Sequence, residues 1–428
     1  MVAESQKTSD SFLEYFKKSR LLKIGLAFNL IYFVGAIFGL IYFFFEGTVL
    51  ETVYTVDFRV FYEAGQVFIS SPSEIYSVNP NGLPFRYFPS FAAYMAIFTG
   101  IPLLTLYLIN ITLMMICNLG IVYFVYQVSQ QKGVSTSTKN FERTLLFVFI
   151  APQHIVNIMF GQITQLAILL ALIVLFLLQS SNHDSLGWFF VTGILIGLAA
   201  TLKPFFLVFI PFMVPITAMD RVRFSVAFRQ LVGVALGFML VMLPNIVYFF
   251  TYPSALDGFI RVNLFEDLTG QHSTSITKLV IAFVPFSDTN LLQIIIILIL
   301  GGFLFFRSYV RFVKTPPNQK DYLRHFVEMT FLILLVYPDS WFLFLAIWYA
   351  FLAPSMLHLY NSDSVSEMNL RKLDYLWSGA NNLLAFFSIG IILHYLILGF
   401  DPIIPIWLTI LFILYDRISQ LDTISTTS

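Results

Sequence analysis

The chain has 428 residues, of which 58% are hydrophobic and only 11% are charged. Its mean hydropathy of +0.81 lies far outside the range of soluble globular proteins. Basic and acidic side chains number 24 each, so the net charge is zero and gives no reason to expect nucleic-acid binding. The composition therefore predicts an integral membrane protein, with membrane lipids among its partners.

The cysteine count and the spacing of possible metal ligands argue against a disulfide-bonded protein and against a metal-dependent one. The single cysteine, Cys117, lies within an apolar run and cannot form an internal disulfide. Histidines and carboxylates do not occur at metal-site spacing, and the chain has no glycine-rich phosphate loop. We therefore expect no metal and no cofactor.

Hydropathy predicts about twelve membrane-spanning helices, which makes the expected fold class an all-α polytopic membrane protein with a single membrane domain. The predicted spans are 24–46, 103–128, 144–160, 163–180, 187–202, 204–219, 230–250, 290–306, 326–338, 342–358, 379–399 and 402–416.

Two connecting segments are long, and they divide the chain. The resulting parts are the first span 24–46, a loop 47–102 with interfacial helices, spans two to seven in 103–250, a second loop 251–289, spans eight to twelve in 290–416, and a tail 417–428. The apolar piece Pro89 to Pro102 is too short to cross at about 1.5 Å per residue. We interpret it as an outer-face or re-entrant helix of the first loop.

Basic residues predict the orientation. Nineteen of the 24 Lys and Arg residues fall on the cytoplasmic side if the N-terminus is cytoplasmic. The outer side then keeps only Arg59, Arg86, Lys203, Arg261 and Lys278. We therefore predict a multi-pass protein of the cell membrane with both termini in the cytoplasm, both long loops outside, and the first span retained as a signal anchor.

The stretch from Asp57 to Pro89 is a polar and aromatic island between apolar runs. From Asp57 onward the pattern predicts an amphipathic interfacial helix, in which Arg59 and Glu63, four residues apart, can form an ion pair. Asp57 has two compatible interpretations. It suits a helix N-cap, and a carboxylate beside the membrane can accept a proton from a hydroxyl as a general base.

This island resembles the first loop of membrane-embedded glycosyltransferases of the C type (GT-C). The matching residues are Asp57, Tyr62, Ala64, Ile75-Tyr76 and Phe85-Arg86-Tyr87-Phe88-Pro89. The resemblance is to glycosyltransferase family 87, the polyprenol-phosphate-mannose-dependent α-mannosyltransferases, and it covers roughly residues 24 to 350.

Two later segments are similar to the same family. Pro152 with Gly161-Gln162 looks like its third and fourth spans, and Gly193 to Lys203-Pro204 looks like its glycine-rich span that ends in Lys-Pro. The resemblance implies a GT-C fold and inverting transfer of a hexose, mannose in this family, from a polyprenyl-phosphate donor to a glycolipid or glycan acceptor. It also implies that Asp57 is the catalytic base.

The chain departs from the family pattern at one place. Where a histidine is expected after Ser340-Trp341, the chain continues with Phe342. His272 and His154 are the two alternatives for a second acid or base, and each also fits the role of an ordinary loop or helix-end histidine.

The donor phosphate requires a cation, and two residues are candidates. Lys203 can act as a point charge, or it can be a lysine that snorkels to the interface. Arg86 can bind the same phosphate or pair with Glu74 in the loop. Weaker candidates for substrate binding, each with a structural alternative, are Tyr62, Tyr87, Gln162, His154, His272 and Asp339.

Two other functions remain open. The chain could be a transporter or lipid flippase, a class that carries ionisable residues near the bilayer midplane, which we do not expect inside these spans. It could also be a non-catalytic relative that binds prenyl lipids. An enzymatic hexosyl transfer is the interpretation that the residues favour.

Overall fold

A computed structural model describes residues 11–45, 55–180, 185–214, 221–265, 273–283, 289–315, 321–338, 340, 342–360, 371–381 and 403–425. The regular elements of these residues are helices. The α-helices are α1 (Phe12–Lys18), α2 (Arg20–Phe45), α3 (Val56–Ser70), α4 (Pro89–Ala96), α5 (Leu103–Gln131), α6 (Lys139–Ile150), α7 (Pro152–Phe160), α8 (Thr164–Gln179), α9 (Leu186–Leu202), α10 (Arg221–Thr251), α11 (Pro253–Ile260), α12 (Ile276–Phe283), α13 (Thr289–Ile296), α14 (Gly302–Lys314), α15 (Tyr322–Val336), α16 (Leu345–Tyr360), α17 (371–381) and α18 (Ile403–Ser425).

Within the described residues, five stretches of helix are long and apolar enough to cross a membrane: Arg20–Tyr42, Leu103–Gln131, Lys139–Phe160, Ser225–Thr251 and Asn290–Lys314. Three shorter apolar helices, α8, α9 and α16, accompany them. The prediction of an all-α polytopic membrane protein is confirmed.

Proline shapes several of the predicted spans. The span 144–160 consists of two helices, α6 and α7, which are separated where Pro152 begins the second, because proline cannot donate a hydrogen bond to the preceding turn. The span 204–219 begins as a 3-10 helix, Pro204–Phe212, which contains Pro211. Most of the span 379–399 lies outside the described residues.

The polar island between the first two long helices packs as an aromatic cluster. Its first element, α3, begins one residue before Asp57, and the predicted ion pair of Arg59 with Glu63 is present at 2.6 Å. The ring of Phe61 meets that of Tyr87 edge-on at 4.9 Å. The eight residues of α4 rise only about 12 Å, so this helix lies within the cluster and does not cross.

Helices α9 and α10 pack backbone to backbone. Each carries two glycines four residues apart, Gly193 and Gly197 in α9, Gly233 and Gly237 in α10. A Cβ atom on Gly193 would lie 2.2 Å from the carbonyl oxygen of Val234, and one on Gly237 would lie 2.0 Å from that of Phe190. Small residues allow this approach in membrane proteins, and the contact fixes α9, which ends just before Lys203.

Ion pairs tie the helices together at the end of the bundle where α5 stops and α15 starts. Lys132 and Asp321 lie 2.6 Å apart. Partial burial raises the pKa of the Asp321 carboxyl, but the Lys132 ammonium outweighs it and lowers that pKa to about 2. The pair therefore stays ionised at neutral pH.

The buried carboxylate of Glu328 lies inside a predicted span, contrary to our expectation of uncharged span interiors. Glu328 in α15 is 5% exposed, and it pairs with Arg311 and with Arg324 at 3.1 Å. It lies in the second turn of the helix, close to the end that carries the Lys132–Asp321 pair, and buried charges of this kind require such partners.

Candidate active site

Asp57 lies at the start of α3. The residue that precedes this helix, Thr55, has a left-handed backbone (φ 65°), and its amide donates to the carbonyl of Met159 at 3.2 Å. Asp57 is in the first turn and is not the N-cap. A carboxylate is favoured there because the helix dipole is positive at its N-terminus.

The break between α7 and α8 places Gln162. Gly161 ends α7 with φ +71°, a conformation that suits glycine. Its carbonyl accepts from Asn110 Nδ2 at 3.0 Å, and a Cβ atom on Gly161 would lie 2.6 Å from the Cβ of Phe58. The break is therefore held tightly against α3, and Gln162 follows it directly.

Lys203 is buried at the end of α9, with 4% of its surface exposed. Its Nζ donates to Gln162 Oε1 at 2.9 Å and to the Tyr87 hydroxyl at 3.0 Å. The same atom lies 5.0 Å from the ring centre of Tyr87 and 4.9 Å from that of Phe344, within the range of cation–π attraction. These contacts orient the ammonium toward the cavity lining.

These elements surround one cavity of about 70 Å³, room for a few water molecules. Its lining combines one carboxylate, two cations, four other polar or hydroxyl-bearing side chains, and apolar walls. The lining residues are Asp57, Val60, Phe61, Leu83, Pro84, Arg86, Tyr87, Gln162, Lys203, Pro204, Phe205, Asn263, Tyr337, Leu343 and Phe344.

Two predicted site residues lie away from this cavity lining. The hydroxyl of Tyr62 donates to the carbonyls of Thr99 and Ile101, at 3.0 and 3.1 Å. Nε2 of His154 faces the carbonyl of Val148 at 3.0 Å. Both contacts are structural. The other two weak candidates, His272 and Asp339, lie outside the described residues.

Two polar residues of the lining were not among the predicted candidates. The Tyr337 hydroxyl donates to Asn263 Oδ1 at 3.5 Å, and Asn263 Nδ2 donates to the carbonyl of Phe259 at 3.0 Å. Asn263 is a polar residue between the apolar residues Val262 and Leu264. Such a position is common in a single sequence and does not mark a site.

The described arrangement can accept a proton and hold an anion in one place. Asp57 brings a carboxylate to the α3 side of the cavity, and Lys203 and Arg86 bring positive charge to the same cavity. Fold and site together define a polytopic membrane protein with a polar, charged cavity between its helices.

The model of glycosyltransferase family 87 matches residues 85–338, more than half of the 428 residues. The chain therefore belongs to glycosyltransferase family 87 and is a membrane glycosyltransferase, which requires a sugar donor and an acceptor. A comparison with curated proteins found no match. The matched range includes Arg86, Gln162 and Lys203, whereas Asp57 precedes it.

Proposed function

We propose that the protein transfers a hexose, mannose by the family resemblance, from a polyprenyl-phosphate donor to a hydroxyl of a glycolipid or glycan acceptor. The reaction takes place at the outer membrane face. The observation that supports this proposal is that Asp57, Arg86 and Lys203 line one cavity. A base and cations that act on the two ends of one displacement must meet in this way.

Asp57 is the base of the proposed reaction. As the acceptor oxygen attacks the anomeric carbon, its proton passes to the Asp57 carboxylate, and the bond between that carbon and the donor phosphate oxygen breaks. The bonding electrons leave with the polyprenyl phosphate. A single displacement inverts the anomeric centre and needs no covalent enzyme intermediate.

Lys203 and Arg86 stabilise the departing phosphate. Negative charge on the phosphate increases as the bond to the sugar breaks, so cations held in advance at that position lower the barrier more than they strengthen ground-state binding. The hydrogen bonds from Lys203 to Gln162 and Tyr87 hold the ammonium in place before the donor arrives.

The island that carries Asp57 also offers an apolar surface for the lipid part of the donor. The short helices of the island carry large apolar side chains that are more than half exposed: Ile69 at 63%, Tyr94 at 57% and Ile97 at 74%. Such side chains are suited to the membrane interface. A polyprenyl chain can lie in the bilayer while its sugar phosphate reaches the site.

Replacing Asp57 with asparagine tests the proposal. We expect Asp57→Asn to lower transfer of radiolabelled mannose from polyprenyl-phosphate-mannose, in membranes that contain the protein, by roughly 10²–10⁴-fold. Glu63→Gln is the matched control, because this carboxylate lies on the same helix and pairs with Arg59. We expect transfer by this variant to stay within a few-fold of wild type.

Full activity of Asp57→Asn would show that another group is the base. If wild-type protein in sealed vesicles instead moved the lipid across the membrane without sugar transfer, the transporter interpretation would replace the proposed one.

A further inference from the structure

Three buried carboxamides near the cavity have no hydrogen-bond partner among the described residues. Gln153 and Asn157 in α7 and Gln165 in α8 are 0% exposed, and neither the nitrogen nor the oxygen of any of the three makes a hydrogen bond there. Buried polar groups without partners are rare in native proteins and lower stability. Three such carboxamides within a stretch of thirteen residues indicate that a polar ligand binds there.

The two amides of α7 share one helix face. Residues 153, 156, 157 and 160 follow the i, i+3, i+4, i+7 spacing, and Val156 and Phe160 pack against the large apolar core that contains Leu343 and Phe344. Leu343 and Phe344 also line the cavity. The α7 amides therefore face the core whose border forms the cavity wall.

The amide of α8 faces the same core. Gln165 lies three and seven residues before Ile168 and Leu172, which are buried in that core. The chain links the amides to the cavity as well, because the backbone amide of Gln162, a lining residue, donates to the carbonyl of Asn157 at 2.8 Å.

The chemistry of these groups selects the ligand. A carboxamide offers two donor hydrogens and two acceptor lone pairs, which complement hydroxyl groups that both donate and accept. A phosphate only accepts, and the cations Lys203 and Arg86 suit it better. The amides are therefore matched to a neutral, hydroxyl-rich ligand, either a sugar ring or a group of water molecules.

The cavity is too small to hold a sugar ring without additional space. Its volume of about 70 Å³ is well below the roughly 300–1,000 Å³ of ligand pockets. The short 3-10 helix Phe342–Phe344 belongs both to the cavity wall and to the core faced by the amides. Binding of a hexose ring at the amides would require this helix to shift so that the two regions join.

We propose that Gln153, Asn157 and Gln165 form the subsite that recognises the hydroxyl groups of the transferred hexose. This inference rests on the proposed function. It explains why the interior of α7 and α8 keeps amides that weaken the unliganded protein, since protein groups that serve a ligand are retained at the expense of stability.

The test compares Asn157→Leu with wild type on two donors, polyprenyl-phosphate-mannose and its epimer polyprenyl-phosphate-glucose. We expect the ratio of kcat/KM values for the two donors to fall by roughly tenfold or more, because amides that pair with a hydroxyl in one orientation discriminate against the other. The melting temperature of the purified full-length protein should stay unchanged or rise, because an uncompensated amide has been removed.

Asn118→Leu is the matched control. Asn118 is 1% exposed, and its Nδ2 donates to Asn29 Oδ1 at 3.1 Å, so its loss should lower the melting temperature and leave the donor ratio unchanged. Gln165→Met provides a second measurement if Asn157→Leu does not fold.

The outcomes separate the two proposals. If wild type transfers sugar but the donor ratio is unchanged in Asn157→Leu and Gln165→Met, the amides bind water only and the subsite proposal is wrong. If both variants behave like Asn118→Leu, the amides are structural and the proposal is equally wrong. If wild type uses neither donor, it is the proposed function that fails.

Discussion

Lys203 does not behave as a lysine that snorkels to the membrane surface. A snorkelling side chain places its ammonium in water, whereas Lys203 is 4% exposed and its Nζ donates to Gln162 and Tyr87. Burying a cation is costly unless its surroundings compensate for lost water. A group held in this way is suited to an incoming anion.

We expect Lys203→Met to lower transfer by roughly 10²–10³-fold, because a preorganised charge next to the departing phosphate is removed. Lys203→Arg should restore little activity, since a planar guanidinium cannot reproduce the contacts of a compact ammonium. Initial rates with labelled donor check both. Lys278→Met is the control, because Lys278 is also buried, at 8% exposure, but does not line the cavity.

Equal rates for Lys203→Met and wild type would remove Lys203 from the reaction. If the amount of folded Lys203→Met protein fell in proportion to its activity, Lys203 would have a structural role instead.

Sequence patterns located some of the residues that line the cavity. Asp57, Gln162 and Lys203 stood out at the ends of apolar runs, and Arg86 and Tyr87 belong to the segment that carries the family resemblance. All five line the cavity. Their roles remain predictions.

Other lining residues could not be found from the sequence. Asn263, Tyr337 and Phe344 reach the cavity only because helices distant in sequence converge there. A single sequence does not reveal such contacts. Tyr62, which the same sequence pattern favoured, instead uses its hydroxyl to bind the carbonyls after α4.

The pairing of α9 with α10 is the element-scale feature that supports Lys203. The sequence shows the glycines at four-residue spacing. It does not show which helix they contact. The breaks at Pro152 and Gly161 were easier to predict, because they follow from the backbone chemistry of single residues.

We expect Gly237→Ala to destabilise the protein by roughly 1–3 kcal/mol, as overpacking does, because its Cβ would lie 2.0 Å from the Phe190 carbonyl oxygen. Gly35→Ala in α2 is the matched control, since nothing lies within 4 Å of its Cβ position. The melting temperature of the purified protein measures both. Equal melting temperatures for the two variants would mean that α9 and α10 are not held this closely.

Over the whole molecule, the ends of the helix bundle differ in charge. The Lys132–Asp321 pair and the Arg311, Arg324 and Glu328 group lie at the end opposite the cavity. The excess of basic residues at that end predicts that it faces the cytoplasm.

Cysteine labelling tests this orientation. Cys117 is 2% exposed and should give little background. We expect Ser73→Cys, at an exposed site between α3 and α4, to react with an impermeant maleimide in intact cells. Ser137→Cys, at an exposed site in the loop after α5, should react only after permeabilisation. The reverse pattern would invert the predicted topology and place the cavity inside.

The contact between Gly161 and Phe58 has a consequence for the spacing of the reacting groups. A methyl group at residue 161 would occupy the space of the Phe58 Cβ, 2.6 Å away. Phe58 directly follows Asp57, and Gly161 directly precedes Gln162, which binds Lys203. The separation of α3, which carries Asp57, from the chain break that carries Gln162 therefore depends on the absence of a side chain at residue 161.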